Sequence, residues 1–581
     1  MEQTWEKWKK LTWSDVGGAA VLAWLGMNFL LGSFFHAGDI QFVGEGSLVK
    51  SVLVFLLLWM FFLAGEVYGG MPFKAAVLGG LVLAAAVAAI WKKNDYFSVG
   101  LATLILLCFL CQKREFWKDV AAFQCPLSIV KWIYLTLFLF LAIYIGAVTV
   151  CRYLAFRSPT FDMGIVSQMF ESMRRTGIPY TTCERNELLS HFLVHPSFVF
   201  YLVLPIYMLA PSPATVQIIQ ALVVASGLVP VYLLAKKRGL PSAAIIFLGL
   251  LYVGMPGLSG SCFYDFHENC FLAPGILWLV LAMEGKRAWC VIPAALLMWS
   301  IKEDAGIYTA FIGLYFLLSG RQKKRGAVLF IASCAVFAFI NHYLSQTGYG
   351  VADVRYQNLV LDKDGSMYQI LQTAWFHAGY LLQECLDLEK IWYLIVVTLP
   401  AIPLIFRRKD WSAFLLLGPM ALLNLMPDYA YMHSVNYQYN FGNSALLLYL
   451  VLICLDHVEK EDMVRFAAAA AGCALVLLSG LKLWRLDLVK EWWGKRREYE
   501  HLDNVLQAIP EDASVTASTY LTAHLYKHEK LYPMTSGKVS EYLVRSLMHS
   551  STVTEEFLLE HYDYEEFYYE EGLVAIYKLA E

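Results

Sequence analysis

The residues able to do chemistry fall in short clusters between long apolar runs. The first is Asp162 in Phe161-Asp162-Met163-Gly164, at the head of Phe161–Arg175, whose spacing reads as an amphipathic helix lying on a membrane. A carboxylate there serves either as a general base or as the N-cap of that helix. Glu187, His191 and His195 follow at i, i+4 and i+8. On a helix they share one face, a donor set that suits a divalent metal such as zinc or manganese, or contact with a phosphate. The plainer alternative is a polar face beside a cavity, with His195 leaving the helix before Pro196.

Three further clusters carry charge. Asp265-Phe266-His267-Glu268 reads either as part of a site or as a solvated loop that caps the next helix. Lys302-Glu303-Asp304 places three charges between two apolar arms. Lys302 there is either one half of an internal ion pair or a cation for a phosphate. Arg355-Tyr356 follows, and Asn436-Tyr437-Gln438-Tyr439 offers amides and rings, suited to a sugar or to a membrane interface. No glycine-rich phosphate loop, nucleophile elbow or H-E-x-x-H motif is present. The twelve cysteines are scattered, and the one C-x-x-C spacing, Cys108 to Cys111, lies at the end of an apolar run without a second pair, which argues against a zinc ribbon or a disulfide framework.

The elements that must hold these clusters are membrane helices. Hydrophobic residues make up 58% of the 581 and charged residues 16%, against about 25% charged in soluble domains. Runs such as Ser51–Tyr68, Ala75–Trp91 and Trp132–Val150 approach the roughly 20 residues a crossing requires. A net charge of -3 with no basic tail gives nucleic acid no footing. The charged, Trp-rich Met1–Lys10 is not a cleaved signal, so the first helix is expected to be retained.

Lys and Arg beside a span stay in the cytoplasm. Six clusters carry that signal: Lys7–Lys10, Lys113–Lys118, Lys236–Arg238, Lys286–Arg287, Arg321–Arg325 and Arg407–Lys409. Placing all six inside predicts about fifteen spans, an N-terminus in the cytoplasm and a C-terminus outside. Only Lys92 and Lys93 fall on the wrong side. The parity holds if 196–211, bounded by His195-Pro196 and Pro211-Ser212-Pro213, is re-entrant or interfacial. A full span with Lys236–Arg238 outside is the alternative. Residues 288–319 then form a hairpin with arms of about 15 residues, roughly 22 Å. Its charged tip is expected below the membrane surface. Asp162, His195, Asp265 and Lys302 all fall on the outer side.

Three regions are expected: a four-helix membrane unit at 1–120, a membrane core at 128–483, and an extracytoplasmic α/β domain at 495–581. In the last, 514–518, 530–532 and 572–579 read as strands and 519–527 and 537–548 as helices. The acidic run Asp563–Glu571 reads as a solvated edge.

These motifs together resemble the DUF2079 family of bacterial and archaeal membrane proteins. The matching residues are Phe161-Asp162-Met163-Gly164 with Gln168, His191-Phe192, His195-Pro196, Pro205-Ile206-Tyr207, Pro211-Ser212-Pro213 with Gln220, Asp265-Phe266-His267, Lys302-Glu303-Asp304-Ala305-Gly306 and Arg355-Tyr356. Ile509–Val515 and Ala523-His524-Leu525 fit in the tail. Glu268 stands where the family has Pro, and Pro196 where it has Phe, which leaves both His191 and His195 as candidates for one role.

The family is similar in turn to the GT-C glycosyltransferases, membrane all-α proteins that take sugar from a polyprenyl-phosphate carrier at the outer face of the cell envelope. The resemblance implies an inverting transfer with Asp162 as base. Lys302 or Arg355 would bind the lipid phosphate. Glu303, Asp304, Asp265, His267, His195, His191 and Gln168 would bind substrate or shape the pocket, with or without a divalent metal. The acceptor would be a glycan, lipid or protein. A transporter or lipid flippase, or a non-catalytic envelope assembly protein, is the competing reading. Asp162 and Lys302 far apart would favour those rivals; a shared site would favour the transferase.

Overall fold

The computed structural model describes residues 8–9, 11–36, 47–349, 355–360, 367–405, 411–549 and 552–580. Among them eight helices are long and apolar enough to cross a bilayer. They are Leu48–Tyr68, Gly70–Lys92, Leu127–Leu154, Pro213–Lys237, Ser242–Cys262, Lys323–Thr347, Gln438–Leu455 and Lys460–Leu481. Asp95–Leu110 with Arg114–Ala122, bent by 83°, makes up to nine. Six shorter apolar helices of 10–17 residues accompany them. Proline and turns shorten them: Phe200–Leu209 carries Pro205, and its 10 residues rise about 15 Å, half of a hydrocarbon core. That is the segment expected to be re-entrant.

Gln438–Leu455 and Lys460–Leu481 form the centre of the bundle and are buried almost throughout, as helices apolar on every side must be. The run Ala467–Ala471 belongs to that centre. Small residues there let backbones approach closely. A Cβ on Gly254 would sit 2.9 Å from the backbone of Ala474, and one on Gly480 would sit 2.0 Å from Ser98 Oγ.

The basic clusters gather at one end of the bundle. Arg238 ion-pairs with Glu284 and Asp456, and Arg321 lies 3.6 Å from Asp456. Arg325 donates to the carbonyls of Gly285 and Lys286, and Arg114 pairs with Glu459 and Glu461. Their shared end is what the parity argument required. Lys93 lies at the other end, where it pairs with Asp487. Arg407–Lys409, Lys7 and Lys10 lie outside the described residues.

Helix Asp487–Leu506 leads out of the bundle into a five-stranded sheet. Leu531–Pro533, Val515–Ala517 and Tyr542–Ser546 run parallel, and Val574–Leu579 and Tyr564–Glu570 follow antiparallel. Two expectations fail here. Residues 519–527 are turns, and the helix expected at 537–548 is the central strand Tyr542–Ser546. Pairing on both sides outweighs the helical preference of that stretch. The acidic run is the edge strand, where charge blocks further pairing.

Candidate functional site

Asp162 sits in the connection between Leu127–Leu154 and the amphipathic helix Ile165–Thr176. That helix starts at Gly164 with no side-chain cap, so Asp162 is not its N-cap. Instead Asp162 has φ 75° and ψ -74°, a γ-turn geometry strained for any residue but glycine. Such strain costs about 1–3 kcal/mol and persists only where the surroundings impose it. The C-terminal domain does so. Thr160 N–H donates to Thr519 Oγ1 (3.1 Å) and its hydroxyl to the Thr519 carbonyl (3.2 Å). Thr522 Oγ1 donates to Thr160 Oγ1 (3.0 Å). A Cβ at Gly164 would lie 2.7 Å from Thr522 Oγ1, so only glycine lets this docking occur. Gln168 tightens it further. Its amide donates to the carbonyls of His528 and Glu529 (both 3.0 Å) and accepts from Thr181 Oγ1 (2.7 Å) and Thr182 N–H (2.8 Å).

Around Asp162 most of the other charged groups are paired. Asp265, also at positive φ (126°), accepts from Ser158 Oγ (2.6 Å), Gln217 Nε2 (2.9 Å) and Arg152 Nε (3.3 Å). Lys302, only 2% exposed, lies 2.8 Å from Glu268 Oε1. His195 Nδ1 is 2.9 Å from Glu303 Oε1, and His191 Nδ1 is 2.9 Å from Glu184 Oε2. His267 caps the turn Glu268–Phe271, with Nδ1 accepting from Asn269 N–H (3.4 Å).

Arg355 differs. Among the described residues no carboxylate lies within ion-pairing distance of it. Its guanidinium sits over the rings of Tyr439 (5.3 Å) and Tyr429 (5.7 Å). Those rings join a tyrosine wall: Tyr431 stacks on Tyr437 (4.1 Å), and Tyr264 packs on Tyr437 (4.8 Å).

These groups lie within electrostatic range of one another. Burial pushes the Asp162 carboxyl up to about 7, against the pull of Lys302 and with the push of Glu268, Asp265 and Glu184. Asp304 is pushed up as well, by burial, against the pull of Lys302. Its Oδ1 and the Nε2 of His191 are buried without a hydrogen-bond partner. Burial takes His267 down to about 3, and it stays neutral. Arg355 is in the field of Glu303 and Asp304, and Tyr439 feels Arg355, Lys302, Asp162 and Asp304.

Asp162, Asp265, Lys302, Glu303, Asp304, Arg355, His191, His195 and His267 therefore gather at one end of the bundle. Gln168 is set back from them, bonded to the C-terminal domain. The shared helical face expected of Glu187, His191 and His195 does not form. Leu189–Ser190 is a strand and His191–Leu193 a single 3-10 turn, and Glu187 accepts a hydrogen bond from Tyr349 Oη instead. Among the described residues the donor set does not converge as a metal centre would. Each histidine is engaged by its own glutamate, and among the described residues no three His, Cys, Asp or Glu side chains converge on one point. Sequence reasoning missed Glu184, Arg152, Tyr264, Tyr429 and Tyr431. The alternation of Tyr429, Tyr431, Tyr437 and Tyr439 is a signal that would have exposed the wall.

Fold and site define a multi-span membrane protein with an acidic, cation-bearing site where a small C-terminal domain docks on the helix bundle. The chain belongs to the DUF2079 family of predicted membrane proteins, whose model matches residues 152–547. Crystal structures of ArnT from Cupriavidus metallidurans are similar to it at 12% identity. The one bound to undecaprenyl phosphate has a TM-score of 0.46 and covers 76% of this chain and 97% of its own. The apo form has a TM-score of 0.44, with 78% and 98% covered. Comparison with curated proteins gives no match.

Proposed function

We propose that this protein is a membrane glycosyltransferase that moves a sugar from a polyprenyl-phosphate carrier to an acceptor at the outer face, with inversion. The observation that carries the reading is the pairing of opposites at one site. Asp162 is strained and poised near neutral pH, and among the described residues it has no hydrogen-bond partner and Arg355 no carboxylate partner. The acceptor hydroxyl oxygen attacks the anomeric carbon as its proton passes to the Asp162 carboxylate. The bond from that carbon to the phosphate oxygen breaks, and polyprenyl phosphate leaves with the electron pair. A base whose pKa lies near the working pH is best placed for this. Arg355 meets the charge that grows on the departing phosphate.

Lys302 is locked to Glu268 and acts mainly through its field, holding the acidic tip together. His195 and Glu303 fix the loop against the hairpin, Asp265 and His267 shape the pocket, and the tyrosine wall offers rings for a sugar. The shared end of the basic clusters supports an N-terminus inside and a C-terminal domain outside. Asp162 and Lys302 acting on one another favours this reading over the transporter and the assembly protein.

The test is release of polyprenyl phosphate from a labelled polyprenyl-phosphate sugar by purified full-length protein, with envelope extract as the acceptor pool. Asp162→Asn should remove it, and Asp304→Asn should leave most of it. Equal turnover in wild type and Asp162→Asn would remove the mechanism. The reverse pattern would move the base to Asp304.

A further inference from the structure

A second group of cations lies behind the tyrosine wall, and the transferase chemistry makes no use of it. Lys482 ends the helix Lys460–Leu481 and is 2% exposed. Its Nζ donates to the amide oxygen of Asn436, a neutral partner. It reaches that point by passing Gly260, where a Cβ would lie 2.7 Å from Lys482 Cε and 3.1 Å from Nζ. Arg485 follows in the turn Leu483–Leu486, with its guanidinium 4.3 Å above the Trp484 ring. It is an electrostatic neighbour of Lys482, Arg152, Tyr144 and Tyr437. The three cations come from the ends of two spans and the turn after one of them.

Their compensation is incomplete. Arg152 has Asp265, but that carboxylate already accepts from Ser158 and Gln217. Asp95, at the start of Asp95–Leu110, acts on Lys482 and Arg485 from a distance. Among the described residues no carboxylate reaches ion-pairing range of Lys482 or Arg485. Burying an ammonium against a lone amide is costly, and charged groups at the ends of spans that stay buried mark sites more often than decoration. A tetrahedral oxyanion would supply what is missing. It would accept from the Arg485 fork, the Lys482 ammonium and Tyr437 Oη.

We propose that Lys482, Arg485 and Arg152, with Asn436 and Tyr437, form a second anion site, specific for a phosphate or phosphodiester group. The site stands without the transferase reading. If that reading holds, the tyrosine wall separates two anions, the carrier phosphate at Arg355 and an anionic group of the second substrate here.

The experiment is binding by the full chain in neutral detergent, followed by thermal unfolding with inorganic phosphate and pyrophosphate. A parallel arm uses nanodiscs of phosphatidylcholine with and without phosphatidylglycerol. Saturable stabilisation is expected, its apparent affinity falling at least about tenfold in Arg485→Gln and Lys482→Gln. It should be largely kept in Arg485→Lys. Stabilisation by phosphatidylglycerol alone assigns the site to a lipid headgroup, and stabilisation by pyrophosphate as well assigns it to a free phosphate ligand. No stabilisation of the wild type, or an unchanged response in Arg485→Gln, overturns the proposal. If the variants do not fold, tungstate soaked into the wild type decides: density between Arg485 and Lys482 supports the site, and density only elsewhere rejects it. Because no turnover is measured, failure here is distinct from failure of the transferase reading.

Discussion

Asp162 and Asp265 are two aspartates at positive φ at the same end of one bundle, and their surroundings are opposite. Asp265 is bonded on both oxygens by Ser158, Gln217 and Arg152. Asp162 has no such partners, and the electrostatics raise its pKa. Backbone strain alone therefore does not separate a structural carboxylate from a reactive one. What separates them is whether the charge is already answered. Asp265 joins the end of one span to the helix Pro213–Ser226 and the turn after Ser242–Cys262, while Asp162 is held by its backbone and leaves its carboxyl uncommitted.

The largest expected effects break the comparison. Asp265→Asn should destabilise the fold by about 3–5 kcal/mol, because Arg152 loses its ion partner in a half-buried position; a thermal scan measures it. Asp162→Asn should keep the unfolding midpoint at acidic pH and lower transfer at neutral pH by about 10²–10⁴-fold. Next come the cations. Arg355→Gln should lower kcat/KM for the lipid donor by about 10–100-fold, the worth of a charge-assisted hydrogen bond. Lys302→Gln should instead show itself as lost folding, since it leaves Glu268 buried and unanswered.

The pH dependence sharpens the contrast. Transfer should rise with pH up to about 7 and then level, as the Asp162 carboxyl ionises. Below that point it should fall about tenfold per unit. Stability runs the other way. A carboxyl raised by the fold favours the folded state below its unfolded value, and that contribution is lost as pH climbs through about 7. Asp162→Asn should therefore gain stability relative to wild type at pH 8 and not at pH 4. The smallest effect is expected from Asp162→Gly. It relieves the positive φ and should add about 1 kcal/mol while leaving no activity.

Much of this was legible in the sequence. Charges in a chain this apolar are conspicuous, so Asp162, Asp265 and the Lys302–Asp304 tip stood out, and parity placed them at one end. Three things were hidden. The spacing of Glu187, His191 and His195 suggested a helix, but Ser190 caps a short 3-10 turn that ends before Pro196, and of the true partners Glu184 lies outside that triplet and Glu303 is 108 residues from His195. Arg152, Lys482 and Arg485 carry no signal of their own at span ends, because sequence cannot distinguish a snorkelling side chain from a buried one. The strand Tyr542–Ser546 was masked by residues that favour helices until strands on both sides claimed it.

The central claim is that Asp162 and Arg355 face one lipid phosphate sugar. A structure of the full chain with a non-hydrolysable polyprenyl-phosphate sugar analogue tests it most directly. The account predicts phosphate density against the Arg355 guanidinium, with the anomeric carbon on the Asp162 side and the sugar against the tyrosine wall. Phosphate seated away from Arg355, or an anomeric carbon that no acceptor held by Asp162 could reach, would contradict it.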